Sequence, residues 1–233
     1  MPFTLDDVVP WGRSFEEYVE MFALTPTDLK GRILGCGDGP ASFHTTLNNK
    51  GGQILSVDPL YEFGTEDLRT RIDATYETVL REARRNTEQF NWEEIRTVSE
   101  LGRRRMEAMR EFLADLPAGR AEGRYVAGKL PDLPLPDDSF DLALCGHFLF
   151  LYTDRLDHAF HMASVVELVR LAPEVRIFPL LDLDGGPSRH VAPTIEDLRR
   201  SGYRVEVRTV PYHFRKGGNE MLEVHRPIRQ EGH

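Results

Sequence analysis

Apolar and polar positions recur along the chain with two different periods, and the changes of period mark out its elements. From Ser14 to Leu24 the run SFEEYVEMFAL sets Phe15, Tyr18, Val19 and Phe22 at helical spacing. Ser14 followed by Glu17 makes a capping box, so a helix over 14–24 precedes the main fold. Pro26 to Lys30 reads as a turn, Arg32 to Leu34 as a short strand, and the glycine-rich GCGDG at 35–39 as the turn leaving it. Pro40 suits the first turn of a helix continued by Ala41 to Asn49, which Gly51 and Gly52 stop. Gln53 to Val57 is a second strand closed by Asp58 and Pro59, which completes a βαβ unit.

The pattern then becomes helical over 65–117. Leu68, Ile72, Tyr76, Val79 and Ala83 form one stripe, and Met106, Met109, Leu113 and Leu116 another, which predicts two or three helices inserted after the second strand. Strands resume at Arg124 to Ala127 and Phe140 to Cys145, separated by the proline-rich loop KLPDLPLPDDS. Asp157 to Leu171 is a strongly apolar helix, Val175 to Leu181 a buried strand, and DLDGGPS at 182–188 a loop. A helix over Thr194 to Ser201, a strand over Tyr203 to Val210, the KGGN turn at 216–219 and a strand over Glu220 to His225 complete the chain, with RQEGH as a frayed end. The expected fold is α/β: a Rossmann-like, seven-stranded, mostly parallel sheet covered on both faces and closed by an antiparallel C-terminal hairpin. Residues 1–233 form one domain, with the N-terminal helix 14–24 and the insertion 65–117 attached to it.

Composition narrows the partners. With 233 residues, 40% of them hydrophobic and 29% charged, the chain can bury a proper core. The net charge of −9 repels polyanions, so nucleic acid is disfavoured as a partner and small molecules or proteins are favoured. No run has the length of a membrane helix, and the N-terminal MPFTLDDVVPWGRS lacks the basic and apolar regions of a secretory signal, which points to a cytoplasmic protein without membrane contact. The two cysteines, Cys36 and Cys145, read as thiols at the ends of neighbouring strands.

The chemistry concentrates at the first strand-to-helix crossover. A strand running into Gly35-Cys36-Gly37-Asp38-Gly39 lets backbone N–H groups approach a ligand where a Cβ would obstruct it. Nineteen positions after Gly39, Asp58 ends the next strand, where a carboxylate can accept from both hydroxyls of a ribose. The pair predicts an adenosine-type cofactor. Position 40 is proline where a dinucleotide fingerprint has its third glycine, which disfavours a pyrophosphate reader. The plainer alternatives are a tight turn at GCGDG and a strand-end helix cap at Asp58.

With ILGCGDG, SVDPLY and SFDLALCGHFLFLY in this order, the chain resembles the class I S-adenosylmethionine-dependent methyltransferases over residues 30–230. The resemblance sets Gly35, Cys36, Gly37 and Asp38 against the methionine part of S-adenosylmethionine, and Asp58 on its ribose. Pro59 and Leu60 would run along the adenine, with Gly128, Lys129 and Leu130 at its edge, and Cys145 and Gly146 would form the floor beneath the sulfonium. Two positions depart from the family. Ile33 stands where an acid usually helps hold the amino-acid part, leaving Asp38 to substitute, and Lys129 stands where an acid commonly meets the adenine N6.

His147, after the fourth strand, is the candidate catalytic base, with a cofactor-adjacent or helix-capping role as the alternative. The turn there lacks the Asn/Asp-Pro-Pro-Tyr/Phe sequence associated with methylation of base nitrogens or glutamine amides. Asp182 and Asp184 fit a solvated acidic loop better than a metal site, and His158 and His161 fit capping or packing, so no metal is expected. Arg13 and Tyr18 could reach over the cofactor as a lid, or Tyr18 could pack in the core. Residues 65–124 carry twelve arginines and no lysine against thirteen acids, so Arg103-Arg104-Arg105 reads as a solvated face. Phe90, Trp92, Met106 and Met109 would shape an acceptor pocket, form a core of the insertion, or make a homodimer contact. The reading is an S-adenosylmethionine-dependent methyltransferase of a small-molecule acceptor. The alternatives are an RNA or protein methyltransferase and a non-catalytic S-adenosylmethionine-binding sensor or scaffold.

Overall fold

The computed structural model describes residues 9–227; the RQEGH end lies outside them. Seven strands, β1 (Arg32–Cys36), β2 (Gln53–Val57), β3 (Tyr125–Val126), β4 (Leu142–Gly146), β5 (Glu174–Phe178), β6 (Arg204–Thr209) and β7 (Glu220–His225), form one sheet in the order β3-β2-β1-β4-β5-β7-β6. The first five run parallel, and β7 lies antiparallel between β5 and β6. This is the expected seven-stranded, mostly parallel sheet closed by an antiparallel C-terminal pair.

Helices cover both faces because parallel strands carry apolar side chains on each side. Ile33, Leu142 and Leu144 pack against α1 (Phe15–Met21) and α2 (Phe43–Asn49) through Met21, Phe22, Phe43 and Leu47. On the opposite face Leu34, Ala143 and Ile177 meet Val165 and Leu168 of α5 (His158–Leu171), with α6 (Val191–Arg200) beside it. The insertion is two long helices, α3 (Thr65–Arg85) and α4 (Val98–Ala121), whose stripes meet through Leu68 and Ile72 against Met109, Leu113 and Leu116. Among the described residues no helix is long and apolar enough to cross a membrane.

The element boundaries differ from expectation for identifiable reasons. α4 continues through Pro117 to Ala121, past the expected end of the insertion. The missing proline N–H is tolerated because the following turn is pinned against β3, where a Cβ on Gly119 would lie 2.5 Å from the Tyr125 ring. α2 starts at Phe43 because the Ser42 N–H donates to the Arg13 carbonyl at 3.0 Å, which keeps Pro40 and Ala41 in the turn. β5 stops at Phe178 because Pro179 has no N–H for the ladder, and α6 starts at Val191 because Pro193 falls in its first turn, where no N–H is needed.

Candidate functional site

The strand order reverses between β1 and β4, and open α/β sheets bind ligands at the carboxyl ends of the strands flanking such a point. A cavity of about 540 Å³ opens there, within the usual range for small-molecule sites. Of the residues expected to bind or react, Cys36, Gly37, Asp38, Asp58, Pro59 and Leu60 line it, as do Gly128, Lys129, Leu130, Gly146 and His147. Gly35 and Cys145 do not. Cys145 is fully buried and turns its thiol into the sheet core beside Ala143 and Ile177, because alternate β4 side chains face opposite layers.

Gly35 is needed for a different reason from the one expected: a Cβ there would sit 1.8 Å from Oδ2 of Asp38. The Asp38 side chain folds back across the end of β1, where Tyr18 donates to its Oδ1 at 3.0 Å and Ser56 to its Oδ2 at 2.7 Å. Tyr18 thus packs in the core, anchors the loop and lines the cavity at once. Gly37 adopts φ +71°, a left-handed conformation that suits glycine, and its N–H donates to the Val57 carbonyl at 2.9 Å.

Asp58 caps the 3-10 turn Pro59–Glu62 and also lines the cavity. Its Oδ1 accepts from the Leu60 N–H at 2.8 Å and its Oδ2 from the Gly39 N–H at 2.9 Å. A carboxylate has about four acceptor positions, so each Asp58 oxygen keeps one for a ligand. Burial pushes the Asp58 carboxyl up, and it pushes that of Asp38 up to about 6. Neither acid has a cationic partner among the described residues. Arg13 lines the same cavity, and among the described residues it donates to the Trp11 carbonyl alone, at 2.8 Å, with its Nε left without a hydrogen-bond partner. The cavity therefore holds two acids without a cationic partner, and its cations Arg13, Lys129 and Arg155 make no ion pair among the described residues, although Arg13 lies in the field of Glu17.

His147 holds φ +55°, its N–H donates to the Phe178 carbonyl at 2.6 Å, and burial followed by the field of Arg13 pushes its imidazole well below the ordinary range. It is neutral at pH 7. Further wall residues are ones to which sequence reasoning gave no site role: Val9, Pro10 and Trp11 before α1, and Phe148, Leu151, Tyr152, Arg155 and Leu156 between β4 and α5. Their signal was an aromatic, apolar run directly after the fourth strand, too short for a helix.

The other candidates fall elsewhere. No residue of 65–117 lines the cavity, and Phe90 and Trp92 pack with Ile95 and Phe214 instead. The arginine run divides: Arg103 pairs with Glu107 and Arg104 with Glu100, whereas Arg105 is buried against Glu17 and Tyr212. Asp182 accepts from the Gly186 N–H at 3.0 Å within its loop, His158 pairs with Asp197 at 2.8 Å, and His161 accepts from the Phe150 N–H at 3.1 Å.

No protein-family model matches the chain. The uncharacterized protein MJ0045 of Methanocaldococcus jannaschii is 34% identical over 225 residues, which cover 95% of this chain and 98% of that protein. The chain belongs to the family of that archaeal protein. Solved structures similar to this family member are more distant. They include a TehB-like SAM-dependent methyltransferase from Corynebacterium glutamicum (16% identity, TM-score 0.48, 91% of this chain and 87% of that one). A SAM-dependent methyltransferase from Aquifex aeolicus is 17% identical at a TM-score of 0.44, over 96% of this chain and 98% of that one.

Proposed function

We propose that the protein is an S-adenosylmethionine-dependent methyltransferase acting on a small-molecule acceptor. The observation that carries this reading is the charge and acceptor pattern around the cavity at the β1–β4 reversal. The two acceptor positions left on Asp58 match the two hydroxyls of a ribose. Asp38, which has no cationic partner, and Arg13, which has no carboxylate within hydrogen-bond reach among the described residues, match the ammonium and carboxylate of a methionine zwitterion. Pro59, Leu60 and Leu130 supply an apolar slot of the kind an adenine occupies, and Gly128 keeps its floor thin, since a Cβ there would meet Val57 at 2.7 Å. The residues present therefore fit the cofactor.

When bound, S-adenosylmethionine supplies an electrophilic methyl on a sulfonium. The chain has to hold an acceptor within near-attack distance and keep water out. Trp11, Leu151, Tyr152 and Leu156 give the cavity apolar lining. Neutral His147 can accept a hydrogen bond from an acceptor O–H or N–H and orient its lone pair. Its low proton affinity suits orientation better than full proton abstraction.

The test is a tritiated-methyl transfer screen over small hydroxylated, amine and carboxylate compounds, preceded by mass spectrometry of nucleosides carried through purification. Transfer to a small acceptor supports the proposal. Binding without transfer to any acceptor favours the sensor reading, and salt-sensitive transfer to RNA or protein favours a polymer substrate.

A further inference from the structure

Behind Asp38 a line of buried and half-buried polar groups runs away from the cavity to the insertion. Its direction can be worked out atom by atom. Arg124 donates through Nη1 and Nη2 to the two oxygens of Asp115 on α4, each at 2.8 Å, and Tyr125 donates to the same carboxylate at 2.9 Å. Nη1 also lies 3.0 Å from Nε2 of His44. A guanidinium can only donate, so Nε2 accepts and the imidazole proton sits on Nδ1. Nδ1 lies 2.9 Å from Oγ of Ser56 and therefore donates to it. With that lone pair occupied, the Ser56 hydroxyl hydrogen points at Oδ2 of Asp38, 2.7 Å away.

His44 is 2% exposed and Ser56 fully buried, so water cannot substitute for either. The imidazole stacks on Tyr125 with centroids 4.1 Å apart, which fixes its plane. Burial and the neighbouring Arg124 push it down to about 3, so it stays neutral and its tautomer is set by the chain.

We propose that Arg124, His44 and Ser56 are positioning residues that aim a hydrogen-bond donor at Asp38 and so hold it ionised and in place for a cationic ligand group. The insertion, which contributes no side chain to the cavity wall, thereby acts on the site through Asp115. That the cationic group is the ammonium of the cofactor rests on the function proposed above; the alignment of Asp38 does not.

Asp38 is faced by Tyr18 of α1, Cys36 of β1, Asp58 and Tyr61 beyond β2, and Cys145 of β4, all neutral or acidic. Ser56 and Tyr18 are its hydrogen-bond donors. Removing one should weaken the ionised form specifically.

The experiment is a carboxyl carbon-13 NMR titration of the free protein, with Asp38→Asn assigning the resonance, alongside calorimetry with S-adenosylhomocysteine from pH 5 to 8. For wild type the Asp38 midpoint is expected near 6. Ser56→Ala should raise it by about one pH unit, a roughly tenfold gain in proton affinity, with His44→Ala moving it the same way by less. Melting curves establish that the variants fold. A midpoint unchanged in Ser56→Ala, or shifted downward, overturns the relay whatever the calorimetry shows. Absence of S-adenosylhomocysteine binding by wild type, with the NMR shift present, overturns the cofactor assignment and leaves the relay standing.

Discussion

Glu17 ties the N-terminal helix to α4 through Arg105 and to Tyr212, and replacing it by glutamine is a quantitative test of how that helix is fixed. Its Oε2 accepts from Arg105 of α4 and from the Ser14 N–H, and its Oε1 accepts from Tyr212 at 2.9 Å. Arg105 is 1% exposed, so no water reaches the guanidinium if the charge is removed. Burial alone would raise the Glu17 carboxyl, but Arg105 outweighs it and holds it at about 2 against an ordinary 4.5. That displacement corresponds to roughly 3 kcal/mol at neutral pH, which agrees with the ~3–5 kcal/mol typical for breaking one side of a buried pair. Glutamine keeps one acceptor, so Glu17→Gln should cost about 2–3 kcal/mol at pH 7, or on the order of 4–12 °C in melting temperature. A carboxyl whose folded value is depressed contributes stability above its unfolded value and loses it as pH falls through the folded one. The deficit of the variant should therefore narrow between pH 4.5 and 2. Urea denaturation at pH 7 and pH 3 measures it. A loss below about 1 kcal/mol at pH 7, or one independent of pH, would refute the reasoning.

Three further substitutions separate binding from chemistry. Asp38→Asn should raise stability at pH 8 by about 1–2 kcal/mol, because a carboxyl displaced upward to about 6 is held ionised there at a cost; the gain should fade as pH drops through 6, while S-adenosylhomocysteine affinity falls at least tenfold. Asp58→Ala should lose about 1 kcal/mol of stability for the cap and at least tenfold in the same affinity, both read from one set of thermal-shift titrations. His147→Asn, chosen because asparagine tolerates the φ of +55°, should reduce turnover about a hundredfold on an acceptor found by the transfer screen and leave S-adenosylhomocysteine affinity within about threefold; unchanged turnover would remove His147 from the reaction.

The glycine loop, Asp58 and the turn after the fourth strand were legible in the sequence because each is local: a strand, a turn and a charged or small residue at a fixed offset. The face of a strand is harder to read when both faces are buried. Cys145 and Gly146 are adjacent, yet one thiol enters the core and the next backbone lines the cavity, and the apolar run LALCG gives no alternation from which to tell them apart. Gly35 was identified as a ligand-approach glycine, whereas what crowds it is Asp38 from its own loop. The relay behind Asp38 could not be seen, since it joins residues 12 and 80 positions apart through hydrogen bonds that no periodicity encodes. Arg105 looked like the third member of a solvated basic run because its partner, Glu17, lies 88 positions away. The insertion's helices form where the pattern placed them, and of the roles left open for their apolar residues the structure shows packing on each other and on β3, with none lining the cavity.

The proposed function puts an S-adenosyl nucleoside in the cavity between β1 and β4 with its ribose on Asp58. Its most direct measurement is an isothermal titration of the wild-type protein with S-adenosylhomocysteine, repeated with the analogue lacking the ribose 2′-hydroxyl. One site per chain and at least a tenfold weaker affinity for the deoxy analogue are expected. Equal affinities for the two compounds, or no heat at millimolar ligand, would contradict the proposed function.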